Sequence, residues 1–250
     1  MGLLNYNGKK IYYSIQGDGP ILIILHGNTA SSKMFDSIIS EYIRYFKIVT
    51  LDFLGNGKSD RIPEMATDLW YDQALQVVEL CKRNKFTNVN ILGCSGGAYT
   101  ALNVALEESG LVSNLFADSF GPPKSMDAIS GAITLERQSA LKDKGAIEFW
   151  KTMHGLDYAE VVIQDANAIE RHHKYIKNFF HGDLSVVKSN IYLLGSKCDQ
   201  FYPNIDQIFL DYKKVIKKCK VKVFEDGGHV VTLTNQNEVL EIIKNEIKVP

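Results

Sequence analysis

Short apolar runs that alternate with amphipathic segments are the feature that most restricts the fold of this chain. Most of these runs, such as ILIIL at 21–25, are continuously apolar and do not alternate between apolar and polar residues. Strands that are buried on both faces of a parallel sheet have this pattern. The sequence therefore predicts strands at 10–15, 21–25, 46–51, 88–93, 113–118, 190–195 and 220–225.

Helix-like segments lie between the predicted strands. They are predicted at 33–42, 67–83, 96–108, 204–217 and 235–247. Because strand and helix alternate, we expect an α/β fold with a mostly parallel central sheet covered by helices on both faces. The beginning of the chain differs, since Asn7-Gly8 lies between two short apolar runs and indicates an antiparallel hairpin at the sheet edge.

The alternation of strands and helices stops between Gly121 and Ser189, where the sequence becomes amphipathic and helix-like. No Gly-, Ser- or Pro-rich linker flanks this segment, so we expect one domain over residues 1–250 with a helical lid inserted at about 121–189. The segment is rich in aromatic residues and methionine. We expect most of these side chains to pack the lid, and Trp150, Met153 and Phe179 are the candidates for lining a substrate pocket.

Composition restricts the partners of the chain. Its 28 basic and 29 acidic residues give a net charge of -1, which provides no overall attraction to nucleic acid or anionic membranes. No apolar run approaches the roughly 20 residues of a membrane span, and the N-terminus MGLLNYNGKK lacks the pattern of a secretory signal. We therefore expect a cytoplasmic protein whose partner is a small molecule. The sequence carries no signal for an oligomeric state.

The four cysteines, Cys81, Cys94, Cys198 and Cys219, are widely separated and form no C-x-x-C pair. This spacing predicts reduced thiols and no zinc site. Cys94 and Cys198 each precede a candidate catalytic residue, and we expect both to pack as small apolar residues near strand ends.

Ser95 lies in the pentapeptide Gly93-Cys94-Ser95-Gly96-Gly97, a G-x-S-x-G pattern between a predicted strand and a predicted helix. A serine on such a sharp turn has a strained backbone and an exposed hydroxyl, and the helix N-terminus behind it favours developing negative charge. Taken alone, the pentapeptide is equally typical of a glycine-rich turn that binds phosphate or that only connects a strand to a helix.

A serine hydroxyl is a weak nucleophile, so it needs a base and an oriented acid. His229 follows the last predicted strand and is therefore expected at the same sheet edge as Ser95; the alternative is an ordinary turn histidine. Asp199 follows the strand at 190–195 and is placed to accept the histidine N–H. Asp118, at the end of the strand at 113–118, is a rival for the same role.

Two backbone amides are candidates for holding an oxyanion, those of Gly96 and of Asn28 in the segment LHGNTASS. We expect His26, in the same segment, to shape the loop without acting as a base. His181 follows Phe179-Phe180 in the insertion instead of a strand, and it is interpreted as a turn residue.

Two further motifs resemble ligand sites without meeting their requirements. Gly57-Lys58-Ser59 lacks the earlier glycine of a P-loop, because Asp52 occupies that position. His172 and His173 are adjacent, so on a helix they point about 100° apart and suit a solvated surface better than a metal site. We therefore expect neither a metal nor an organic cofactor.

Five motifs occur together and in a fixed order: LHGN at 25–28, DFLGNGKSD at 52–60, GCSGG at 93–97, GSKCD at 195–199 and GGH at 227–229. In these motifs the chain resembles the α/β-hydrolase superfamily, and in particular its lid-bearing esterase-like and lipase-like members. The resemblance implies that Ser95 is the nucleophile, Asp199 the acid and His229 the base. It also implies that the amides of Asn28 and Gly96 form the oxyanion hole.

The expected activity is hydrolysis of an ester, thioester or amide of a small, fairly apolar substrate through an acyl-enzyme. Because the nucleophile is serine and not aspartate, we expect no haloalkane dehalogenase or epoxide hydrolase activity. One fold can host unrelated functions, so a small-ligand receptor and a cofactor-free lyase or carbon–carbon bond cleaving enzyme remain alternatives.

Overall fold

One mixed sheet of eight strands organises the computed structural model, which describes residues 1–124 and 132–249. The strands in spatial order are β1-β2-β4-β3-β5-β6-β7-β8. Their bounds are β1 (Gly2–Tyr6), β2 (Lys9–Gln16), β3 (Ile21–Leu25), β4 (Lys47–Leu51), β5 (Val89–Cys94), β6 (Val112–Asp118), β7 (Asn190–Ser196) and β8 (Cys219–Phe224).

The predicted hairpin is confirmed at the sheet edge. Strands β1 and β2 pair in antiparallel register from Gly2–Tyr13 to Tyr6–Lys9. The two residues between the strands, Asn7 and Gly8, both have positive φ, which suits the right-handed twist of a two-residue hairpin. From β4 to β8 all neighbouring strands are parallel, so their carboxyl ends meet at one edge.

Helices follow most of the parallel strands in the described part of the chain. Their bounds are α1 (Asp36–Tyr42), α2 (Leu69–Asn84), α3 (Gly96–Glu107), α4 (Ala132–Ala140), α5 (Lys144–His154), α6 (Tyr158–Arg171), α7 (Ile205–Val215), α8 (Val231–Thr234) and α9 (Gln236–Ile247). Helix α6 continues into a π-helical turn over His172–Ile176.

Alternate side chains of the central strands pack against different helices. Ile23 and Leu25 join a core that includes buried residues of α2, α3 and α7, whereas Leu22 and Ile24 join a second core with α1 and α9. Burial on both faces explains why the strands are continuously apolar. The prediction of a mostly parallel sheet covered on both faces is therefore confirmed.

The predicted strands agree with the observed ones to within one residue at each end, and the bounds of β3 are identical. The predicted helix at 33–42 begins instead as a 3-10 turn over Ser32–Phe35 before α1. The short helix α8 was not predicted, although it follows directly on the loop that carries His229.

The segment predicted as a lid contains α4, α5 and α6, and residues 125–131 of it lie outside the described residues. That this insertion acts as a lid stays a prediction.

The expectation that His172 and His173 lie on a solvated helix surface was wrong, because both side chains are buried. The ring of His172 stacks on Phe179 with centroids 5.1 Å apart and meets the edge of Trp70 at 4.6 Å. These aromatic neighbours therefore shield His172 from solvent.

Among the described residues, no helix is both long enough and apolar enough to cross a bilayer.

Candidate active site

Ser95 occupies a tight turn between the end of β5 and the first residue of α3. Its backbone has φ 55° and ψ -122°, a conformation that residues other than glycine rarely adopt and that costs about 1–3 kcal/mol. The turn ends a fully buried strand, yet Ser95 itself is partly exposed. The fold thus maintains a strained serine at the carboxyl edge of the sheet.

The glycines on either side of Ser95 are required by close backbone contacts. A Cβ atom on Gly93 would clash with the carbonyl oxygen of Gly97, and one on Gly97 would lie 2.5 Å from the carbonyl oxygen of Leu25. Strand β5, helix α3 and strand β3 therefore approach too closely for any side chain at these positions. These contacts explain why glycine occupies both positions around Ser95.

Asp199 and His229 are joined by a hydrogen bond of 2.9 Å between Oδ2 and Nδ1. Asp199 lies in the loop after β7, and His229 lies in the loop after β8. The other oxygen of Asp199 accepts the amide N–H groups of Phe201 at 2.9 Å and Tyr202 at 3.2 Å. The aspartate is thereby oriented toward the imidazole.

Opposing effects act on the Asp199 carboxyl. Burial alone favours its neutral form, but the hydrogen bonds from His229 and the two loop amides lower the pKa of Asp199 below its usual value. The side chain of His229 is 13% exposed, while that of Asp199 has no exposed surface. This arrangement gives an ionised acid behind a histidine whose ring still reaches the surface of the site.

Asp118 is also buried at the carboxyl edge, but it bonds to the backbone. Its two carboxylate oxygens accept the amide N–H groups of Val231 at 3.2 Å and Thr232 at 2.8 Å, and Oδ1 accepts the hydroxyl of Ser119 at 2.7 Å. Burial raises the pKa of Asp118, against the effect of these bonds. The geometry favours Asp199 over Asp118 as the partner of His229.

Asp118 connects the serine turn to the histidine loop. The amide of Ser95 donates to the Asp118 carbonyl oxygen at 2.8 Å, and the Asp118 carboxylate binds the amides that follow His229. No hydrogen bond joins the Ser95 hydroxyl to His229 among the described residues, so that contact of the triad stays a prediction.

The two predicted oxyanion donors lie on adjacent segments. The amide of Gly96 is the first of α3 and has no acceptor within the helix. The Asn28 side chain packs so closely on Gly96 that a Cβ atom there would clash with Asn28 Oδ1. Trp70 Nε1 donates to the same oxygen at 3.0 Å. Trp70 was not predicted at the site, since its position in α2 gives no signal in the sequence.

His26 shapes the loop that follows β3, as predicted. Its Nε2 accepts the amide N–H of Phe53 at 3.1 Å, so its Nδ1 carries the proton and donates to the Gly27 carbonyl oxygen at 2.8 Å. Burial lowers the pKa of His26. A neutral, fully bonded histidine of this kind stabilises a loop and is not available as a base.

The three predicted pocket residues are all buried, but they lie in different places. Phe179 stacks on Tyr99 at 4.3 Å and packs on Trp70 at 4.9 Å, which connects it to the Asn28 loop. Met153 accepts the Ser31 hydroxyl at its carbonyl oxygen. The Trp150 ring lies 5.9 Å from the guanidinium of Arg137, within the insertion. Lining of a substrate pocket by these side chains stays a prediction.

His181 also has a defined partner. It lies outside the helices, as expected for a turn residue, and its ring stacks on Tyr71 at 3.7 Å and bonds to the Asp68 carboxylate. In the described part of the chain, no three His, Cys, Asp or Glu side chains are grouped as metal ligands.

The cysteines are free thiols, as predicted. Cys94 is buried beside Asp118, with Sγ 3.9 Å from the carboxylate. The expectation that Cys198 packs as a small apolar residue was wrong, because it is exposed on the loop before Asp199. The strand has already ended at Ser196, so the thiol lies beyond the packed layer.

Comparisons with known proteins agree with this architecture. A family model described as the alpha/beta hydrolase fold matches residues 20–142. Zearalenone hydrolase from Bionectria ochroleuca is 26% identical over 159 residues, which are 59% of this chain and 60% of that protein. The chain spans between 31% and 60% of the length of three curated relatives that it matches.

Solved structures match over nearly the whole chain. A meta-cleavage product hydrolase from Pseudomonas fluorescens IP01 has a TM-score of 0.78 at 16% identity, covering 99% of this chain and 97% of that one. An esterase from Exiguobacterium antarcticum has a TM-score of 0.76 at 21% identity, covering 99% and 100%. At these identities the likeness shows a shared fold.

Proposed function

The chain belongs to the α/β-hydrolase superfamily, and from this premise we propose that it is a serine hydrolase. The proposed substrate is an ester, thioester or amide of a small, fairly apolar molecule. The observation that carries the proposal is the 2.9 Å hydrogen bond between Asp199 and His229, at the same sheet edge as the strained Ser95. A buried carboxylate that orients a partly exposed histidine is the arrangement that a serine nucleophile requires.

In the proposed mechanism His229 Nε2 removes the proton of the Ser95 hydroxyl as Oγ attacks the carbonyl carbon of the substrate. Asp199 accepts Nδ1–H throughout, which fixes the tautomer and stabilises the imidazolium. The carbonyl oxygen becomes an oxyanion, held by the amides of Gly96 and Asn28. Collapse of the tetrahedral intermediate breaks the bond to the leaving group, which takes the proton from His229.

Water then completes the reaction. His229 removes a proton from the water molecule as its oxygen attacks the acyl carbon, and the second tetrahedral intermediate expels Ser95 Oγ. His229 returns that proton to Oγ, and the carboxylic acid leaves.

The names of similar proteins support a hydrolase of some kind, since they include zearalenone hydrolase and an esterase. We propose that Phe179, Trp150 and Met153 contribute apolar surface around the acyl group.

The proposal is tested with p-nitrophenyl acetate, butyrate and octanoate and with a fluorophosphonate probe. We expect turnover and covalent labelling in the wild type, and Ser95→Ala should lose labelling and at least about 10⁴-fold of kcat. Ser139→Ala is the matched control, because Ser139 is an exposed serine of α4 and should keep wild-type turnover.

Turnover that persists in Ser95→Ala would contradict the proposal. Labelling of Ser95 without turnover of any ester, thioester or amide would instead favour a receptor, or a lyase that uses the same pocket.

A further inference from the structure

Thr29 adopts a backbone conformation that its own side chain disfavours. It follows Asn28 directly, it is 2% exposed, and its φ is +56°. Positive φ is uncommon for any residue with a side chain, and for a β-branched residue such as threonine it is an outlier. Contacts outside the loop must therefore hold Thr29 in place.

Every polar group of Thr29 is bonded to the inserted helices. Asp165 of α6 accepts the Thr29 amide N–H at 3.1 Å through Oδ2 and the Thr29 hydroxyl at 2.9 Å through Oδ1. His154, at the end of α5, accepts the Gly57 amide N–H at Nδ1, so its Nε2 carries the proton and donates to the Thr29 carbonyl oxygen at 3.2 Å. Asp165 is 1% exposed, and the contact is closed to solvent.

Asn28 is consequently fixed from two sides. On one side its side-chain oxygen accepts Trp70 Nε1 and packs on Gly96. On the other side the peptide group that joins Asn28 to Thr29 is held by Asp165 through its N–H. Donors of an oxyanion hole act because they are placed before the charge develops, and a displacement of about 1 Å is enough to lower the rate about 10²-fold.

We propose that Asp165 and His154 are positioning residues that set the Asn28 amide for the oxyanion, an inference that rests on the proposed serine hydrolase function. The loop that carries Asn28 and Thr29 is then coupled to helices α5 and α6 through these hydrogen bonds. Movement of α6 away from the sheet would break the bonds from Thr29 to Asp165 and displace the Asn28 amide, one of the two oxyanion donors.

The central test measures kcat, KM and the rate of fluorophosphonate labelling in Asp165→Asn, using p-nitrophenyl butyrate. The asparagine keeps the size of the side chain but can accept only one of the two Thr29 hydrogen bonds. We expect kcat and the labelling rate to fall about 10- to 100-fold with little change in KM, because the loss falls on the transition state.

Arg171→Met is the matched control for a merely structural role. Arg171 also lies on α6 and also ties the insertion to the body, donating to the Met65 carbonyl oxygen at 2.7 Å, but it does not contact Thr29. We expect this variant to lose stability to urea while keeping kcat. An equal loss of kcat in both variants would overturn the inference.

A rescue experiment tests whether Thr29 needs Asp165 in order to keep its positive φ. Asparagine enters the left-handed region far more readily than threonine at similar volume. Thr29→Asn in the Asp165→Asn background should therefore recover several-fold of the lost kcat, and absence of recovery would count against the inference. If Asp165→Asn does not fold, Thr29→Val replaces it. Valine is also β-branched but loses the hydroxyl bond to Asp165, so kcat should fall about 10-fold; a wild-type kcat in Thr29→Val would refute the role.

The failure of this inference is distinguishable from failure of the proposed function. If Ser95→Ala abolishes labelling and turnover while folded Asp165→Asn keeps wild-type kcat, the hydrolase assignment stands and the positioning role falls. If Ser95→Ala keeps turnover, both fall together.

Discussion

Asp118 and Asp199 close neighbouring strands of the sheet, yet the structure uses them in different ways. Both are buried at the carboxyl edge, at the end of β6 and just after β7. Asp118 bonds to backbone amides of the histidine loop, and burial raises its pKa. Asp199 bonds to the imidazole, and its hydrogen bonds lower its pKa against the effect of burial. Position at a strand end therefore identifies the candidates for the catalytic acid, while the hydrogen-bond partner of each aspartate determines its role.

The largest expected effect is that of Asp199→Asn on catalysis. An amide at this position can donate to Nδ1 and so favour the wrong tautomer of His229, and the imidazolium loses its counter-charge. We expect kcat for p-nitrophenyl butyrate to fall about 10⁴-fold. Circular dichroism should show an intact fold.

Asp118→Asn is the matched control for that experiment, because it is the same substitution at the rival position. A smaller loss of kcat in Asp199→Asn than in Asp118→Asn would reverse the assignment of the acid.

The sequence predicted the sheet edge well because the underlying signals are local. Ile21–Leu25 is continuously apolar, so the bounds of β3 could be read directly. The pentapeptide around Ser95 needed only its strand and helix context. Position at a strand end could not decide between Asp118 and Asp199, since that choice depends on where an imidazole 30 residues beyond Asp199 comes to lie.

The insertion was less predictable because its polar residues find partners far away in sequence. His172 and His173 look like surface residues on a helix, yet both are buried, and Trp70 of α2 and Phe179 after the π turn pack on both rings. Asp165 had a signal that was missed. It lies four residues after Val161 and four before Ile169, within the buried stripe of α6. An acid in an apolar stripe indicates a buried partner.

The second expected effect concerns stability and falls on Asp118→Asn. The carboxylate accepts two backbone amides and a hydroxyl inside the protein, and asparagine presents its NH₂ group to one of those donors. Leaving such a donor unsatisfied costs about 1–3 kcal/mol, so the free energy of unfolding should fall by about that amount in urea titrations. Asp199→Asn should cost less, because its ring partner is partly exposed. An unchanged urea midpoint of unfolding in Asp118→Asn would contradict a structural role for Asp118.

The smallest effect is a difference in how the two variants depend on pH. The raised pKa of Asp118 means that, above the unfolded value of about 3.9, the native state holds more protons than the unfolded state. The stability contributed by Asp118 therefore declines as pH rises toward its folded pKa. The lowered pKa of Asp199 has the opposite effect: its contribution to stability is complete above about pH 5 and is lost progressively as pH falls through the unfolded pKa of about 3.9 and then the folded pKa.

Urea unfolding at pH 4, 5, 6 and 7 separates these two behaviours. The stability gap between wild type and Asp118→Asn should narrow with rising pH, by at most about 1.4 kcal/mol per pH unit. The gap between wild type and Asp199→Asn should stay constant from about pH 5 to pH 7, because the Asp199 carboxyl has already lost its proton in both the folded and the unfolded state there. If the free energies of unfolding of wild type and Asp118→Asn differ by the same amount at every pH, the Asp118 carboxyl of the wild type is ionised throughout. The contrast between the two strand ends would then rest on their hydrogen-bond partners alone, since both carboxyls would carry the same charge.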